Sequence, residues 1–155
     1  MLSRTANNMF WMGRYMERAD ATARLIEMGH RMAMLPGSNE MDEWRSVAAA
    51  SGSAPDIAEA KSLKAGDVVG RLLLDPDNLS SIRSCLTSAR ANGRAIRTAL
   101  TQDMWEALND GWRQLGQMDA ETALRNLPSL LEWTKNRTAA FRGAYEISLL
   151  RNDGY

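Results

Sequence analysis

The chain has 155 residues, 45% of them apolar and 25% charged, which is enough for one domain with its own core and excludes a disordered, collagen-like or low-complexity protein. Nineteen Lys and Arg balance nineteen Asp and Glu, so the formal net charge is zero and no overall basic field exists to hold nucleic acid. A single cysteine, Cys85, and a single histidine, His30, exclude an internal disulfide and a Cys/His zinc site.

The four prolines, Pro36, Pro55, Pro76 and Pro128, fall where the apolar periodicity breaks, so they separate helices. The first and longest helix is expected from an N-cap at Ser3 to Leu35, where Leu-Pro-Gly-Ser stops it. Shorter helical segments follow over Glu40 to Ala50 and Asp56 to Lys64, joined through Ser51-Gly52-Ser53, and a short apolar turn runs from Asp67 to Leu74. Asp75-Pro76-Asp77-Asn78 then resets the chain for a second long helix from Ser80 to Leu100. Thr101 caps a helix through Leu115, and Asp119 caps a short one. Pro128, at a first-turn position, opens the last long helix, ending near Asn152 before Gly154. No segment alternates apolar and polar residues long enough for a strand. The expectation is a single all-α domain over residues 1–155, a helical bundle with three long helices and several short ones. The N-terminus has no apolar run of signal-peptide length, and nothing approaches the roughly 18 apolar residues of a membrane span. A cytoplasmic setting without membrane contact is expected.

On the first helix, Met9, Met12, Met16, Ala19, Ala23, Ile26, His30 and Ala33 recur in steps of three and four, the seam of a packed helix pair. Phe10, Glu17, Ala21, Arg24 and Met28 lie opposite that seam, with Arg14 and Met32 to one side, so apolar residues occupy both faces. A helix of this kind is sandwiched between two layers or between this chain and a partner. Glu17 is then expected to be mostly buried and bonded to Arg14 or Arg24, with a loss of about 3 kcal/mol on Glu17→Ala. Either it clamps helices together or it serves as a catalytic acid or base.

On the second long helix, Ile82, Cys85, Leu86, Ala89, Gly93, Ile96 and Leu100 make the apolar stripe, and Arg83, Arg90, Arg94 and Arg97 share one edge beside it. Like charges at this spacing repel. The row is a solvated edge, a lattice with carboxylates of other helices, or an anion site. Nucleic acid is disfavoured because the aromatics that would stack on bases lie on other helices. Trp105, Leu108, Trp112 and Leu115 read as a core stripe beside Glu106 and Asn109, and Trp11, Trp44, Trp133, His30 and the ten methionines as core packing. Cys85 reads as an inert buried thiol. Gly13 and Gly93 are helix-interior glycines that permit close approach. There is no phosphate loop, dinucleotide fingerprint, nucleophile elbow or metal-binding helix motif, and so no implied cofactor or metal.

The opening MLSRTANNMFWMGRYMERADATARLIE resembles that of the bacterial alpha-E family, with its Leu-Ser-Arg-x-Ala start and Trp-x-Gly-Arg-Tyr-x-Glu-Arg-Ala block; the Glu-Arg pair is Glu17-Arg18. The resemblance continues in order through LLLDPDNLSSI, SARANGRAIRTALTQDMWEALN and FRGAYEISLLRNDGY, departing at Gly93, where the family tends to have alanine. Arg14, Glu17, Arg18 and Arg24 match its first block, and Arg90, Arg94, Arg97, Trp105, Glu106 and Asn109 its second. Family members are about twice this length, so the chain resembles their first half. The resemblance implies association with a circularly permuted ATP-grasp protein in a peptide-modifying, amide-forming system, with the ATP chemistry belonging to that partner. The expected role is a non-catalytic helical scaffold or binding module. The alternative is an enzyme or anion-binding domain using Glu17 and the Arg90, Arg94 and Arg97 row on a carboxylate or phosphate. Its test is convergence of those groups on one cleft. A homodimer, or pairing with a second alpha-E half, is expected through an interface of more than roughly 1,000 Å² that includes some of Phe10, Arg14, Ala21 and Met28.

Overall fold

The structure is a computed structural model that describes residues 2–151, and the side chains of residues 3–148. Helix α1 (Leu2–Ala33) is the spine. Ser3 lies within it rather than capping it. Its C-terminus comes two residues before the expected Leu35, because Pro36 disfavours a helical residue ahead of it and the Ser38 hydroxyl takes the Ala33 and Leu35 carbonyls at 3.0 and 2.8 Å. Gly37, at φ 80°, reverses the chain.

Helix α2 (Glu40–Ser51) starts where Asn39 accepts from the Met41 and Asp42 amides. The helix expected over Asp56 to Lys64 is only one turn, α3 (Pro55–Ala58). Arg45 donates at 2.8 Å to both the Ala58 and Ala60 carbonyls, which a longer helix would have used. Helix α4 (Ala65–Val69) runs into a π-turn over Gly70–Leu74 whose Leu72, Leu73 and Leu74 are all buried. Asn78 then ties this region together: its amide donates to the Arg71 carbonyl and the Ser53 hydroxyl, and its carbonyl accepts from the Ser80 amide. The Ser81 hydroxyl closes the knot on the Asp75 carbonyl at 2.7 Å.

Helix α5 (Ile82–Ala95) is shorter than expected, because Ile96 leaves the helical region and a 3₁₀ turn (Arg97–Ala99) follows. Thr101 caps α6 (Gln102–Gly116) and Asp119 caps α7 (Ala120–Arg125), both as the sequence indicates. Helix α8 (Leu127–Arg151) carries Pro128 in its first turn; its expected end near Asn152 and Gly154 lies outside the described residues. No strand occurs among the described residues, and the protein is all-α.

The core forms along α1, which packs most extensively on α5 and then on α8 and α2, while α6 joins α5 to α8. Met12, Met16, Ala19, Ala23 and Ile26 of the anticipated seam are buried. Full burial of a side chain such as Ile26 contributes roughly 1.5–3 kcal/mol. Gly93 lies where α5 meets α1 and α6, and a Cβ there would stand 2.7 Å from Leu108 Cδ1. The aromatic expectation needs correction. Trp44 is buried, but Trp105 and Trp133 are half-buried and Trp11 and Trp112 exposed. His30 is only half-buried, beside Trp44 and Leu127. Cys85 is buried, and desolvation pushes its thiol up to about 11, which leaves it protonated and unreactive at neutral pH.

Candidate functional site between α1 and α8

Gly13, Asp20 and Glu27 recur at seven-residue intervals on the side of α1 that faces α8, which runs antiparallel to it. Asp20 accepts from the Thr138 hydroxyl at 2.9 Å and from Arg24 at 2.8 Å. Glu27 accepts from Lys135 at 2.7 Å and from Arg31 at 2.9 Å. The hydrogen bond from Lys135, helped by the Lys135, Arg31 and Arg24 charges, holds the Glu27 carboxyl below its usual range against partial desolvation. These clamps escape periodicity reasoning based on apolar residues; the signal is the heptad of Gly13, Asp20 and Glu27.

Beyond the clamps, toward the N-terminal end of α1, the two helices enclose a groove of about 280 Å³. Helix α1 lines it with Met9, Phe10, Gly13, Arg14, Met16 and Glu17, and α8 with Thr138, Phe141, Arg142 and Tyr145. Phe141 and Tyr145 stack with centroids 6.4 Å apart. Glu17 pairs with Arg14 at 3.0 Å, yet their side chains are 60% and 55% exposed. The expected burial of Glu17 is therefore incorrect. Phe10, Ala21 and Met28, which were to cover it, are themselves exposed, and Arg24 is taken by Asp20. An exposed pair of this kind contributes at most about 1 kcal/mol. Arg18 is also exposed and projects away from the groove toward α5, where its charge acts on Cys85.

The arginine row forms a separate feature along α5 and α6. Arg83 donates to the Leu115 carbonyl and to the Met118 carbonyl, neutralising the negative end of α6. Arg90 donates to Asn109 Oδ1 at 2.9 Å and lies over the Trp112 ring at 3.9 Å, with Trp105 at 5.6 Å. Arg97, on the 3₁₀ turn and not on α5, stacks on Trp105 at 5.3 Å and donates to Gln102, which in turn donates to Glu106. Arg94 is exposed and makes no hydrogen bond or ion pair among the described residues. No carboxylate pairs with this row among the described residues: indole faces and amide oxygens engage Arg83, Arg90 and Arg97, Arg94 is left to solvent, and Trp105 and Trp112 serve as guanidinium platforms rather than core. Arg90, Arg97, Trp105, Glu106 and Asn109 are thus brought together, but none of them lines the groove with Glu17.

A family profile described as a predicted alpha-helical domain with a conserved ER motif matches residues 1–155. The chain belongs to the Alpha-E family. Glu17-Arg18 is the one Glu-Arg dipeptide in the sequence, so the motif of the Alpha-E name sends its Glu into the groove and its Arg to the other side. Uncharacterised proteins of Mycobacterium bovis and of two strains of Mycobacterium tuberculosis are similar, at 30–31% identity in alignments that cover 68% of this chain. The aligned part is 14% of the length of each of those proteins. No solved structure matches. Among the described residues, no helix is long and apolar enough to cross a membrane.

Proposed function

We propose that this Alpha-E chain is a non-catalytic helical binding module that acts with an ATP-grasp-type ligase in an amide-forming, peptide-modifying system in the cytoplasm. The observation that carries this reading is the separation of Glu17 from Arg90, Arg94 and Arg97: an enzyme built on these groups needs them in one cleft, and they lie on different faces. What Glu17 does line is a groove of binding-site character, apolar at its walls and charged at its rim. The outer face of α1 beyond the groove, with Met28 61% and Met32 41% exposed, further supports a second copy of the chain, or the second half of a longer Alpha-E domain, packed against it.

Sedimentation of the purified chain, alone and mixed with the ATP-grasp-type ligase of the same bacterium, tests both parts. The expected result is a dimer alone, a stable complex in the mixture, and ATP turnover confined to the ligase. Turnover by the chain alone that vanishes in Glu17→Gln would establish the enzyme reading instead.

A further inference from the structure

Three features of the groove are unused by the packing of the chain itself. Gly13 stands mid-helix, where glycine costs about 1 kcal/mol relative to alanine, yet a Cβ added to it would meet nothing within 4 Å. This is the reverse of Gly93, where Leu108 fills the space. Gly13 therefore keeps open the floor of the groove rather than letting helices approach. Arg142 is exposed at the rim and has no hydrogen bond or ion pair among the described residues. Glu17 engages Arg14 through Oε2, leaving Oε1 to accept another donor.

The lining thus combines aromatic walls at Phe10, Phe141 and Tyr145, a free guanidinium, and a carboxylate with spare acceptor capacity. Two arginines against one glutamate leave it with one excess positive charge. Its volume of about 280 Å³ lies just below the roughly 300–1,000 Å³ of sites for drug-sized ligands, which suits a single residue and its terminus. We propose that the groove binds the carboxyl-terminal residue of a peptide bearing an apolar side chain. The side chain lies over Gly13 between the aromatic walls, the terminal carboxylate pairs with Arg142, and the residue's amide N–H donates to Glu17. A guanidinium matches a carboxylate in a two-pronged geometry that a neutral amide cannot reproduce. The open side of the groove lets the rest of the peptide leave. This assignment rests on the binding-module reading and names the ligand class of that same site.

Calorimetric titration of the purified chain with N-acetyl-glycyl-L-phenylalanine, with its C-terminal amide and with free L-phenylalanine tests it. The free acid of the dipeptide should bind at least tenfold more tightly than the amide, and Arg142→Gln should abolish that difference. Gly13→Ala should leave the melting temperature unchanged or raised while weakening the acid at least tenfold, which a purely structural role for Gly13 would not produce. Equal binding of acid and amide, undiminished binding by Gly13→Ala, or no binding by the unsubstituted chain would overturn the proposal. Tighter binding of free L-phenylalanine than of the dipeptide would overturn the assignment to a peptide end. The titration contains no ligase, so its failure and a failure of the ligase partnership are separate results.

Discussion

The two long neighbours of α1 meet it in opposite ways. Toward α5 the contact is apolar and close: Met12, Ala19 and Ala23 are buried on α1 and Cys85, Ala89 and Gly93 on α5, and Met12 Sδ would stand 3.4 Å from a Cβ at Gly93. Toward α8 it is fixed by Asp20–Thr138 and Glu27–Lys135 and then opens into the groove. A dry interface between small side chains defines a fold but offers no chemistry to a ligand. Directional polar contacts fix the two helices at chosen points, and they leave room beside the clamps for an aromatic and charged recess. In this family domain the ER motif glutamate belongs to the second kind of contact.

The largest effect should come from the α5 side. Met12→Ala should lower the unfolding free energy by about 2–5 kcal/mol, read from urea denaturation, because the side chain is fully buried. A loss under 1 kcal/mol would mean that this interface is no tighter than the other.

On the α8 side, Glu27→Gln should cost about 1–2 kcal/mol at pH 7, with a marked dependence on pH. The Glu27 carboxyl is held below its usual range by Lys135, so its contribution is present above the unfolded value of about 4.3 and is lost as pH falls through the lower folded value. Melting curves of Glu27→Gln and of the unsubstituted chain should therefore converge below about pH 4. A gap of constant size down to pH 3 would show that the ion pair does not hold this interface.

The smallest effect should be that of Glu17→Ala, within about 0.5 kcal/mol at dilutions where the chain is monomeric, in place of the 3 kcal/mol of a buried pair. A loss near 3 kcal/mol would show that the Glu17 face is covered and erase the contrast between groove and core.

Particular residues show how far the sequence could be read. The seam from Met12 to Ile26, the caps at Thr101 and Asp119 and the first-turn Pro128 were legible, because each rests on a local rule of spacing or side-chain reach. The end of α3 was not, since Arg45 of α2, thirteen residues before Ala58, takes its carbonyls. Neither was the exposure of Trp112, which depends on Arg90 approaching from α5. The π-turn at Gly70–Leu74 likewise reflects a knot through Asn78 and Ser81 that no periodicity announces.

The sequence by itself determined that this protein is all-α, that α1 is its spine, and that one face of α1 is apolar core, because helix formation and side-chain periodicity are local properties. Tertiary structure alone decided which polar groups meet across helices, such as Glu27 with Lys135 and Asp20 with Thr138. Glu17 and Arg18 are adjacent in the chain but diverge by about 100° around a helix, and the helices packed on either side decide that Glu17 lines the groove with α8 while Arg18 projects toward α5. Asp20, which has Thr138 of α8 against it, is therefore a clamp; Glu17, one turn before it, lines the open groove.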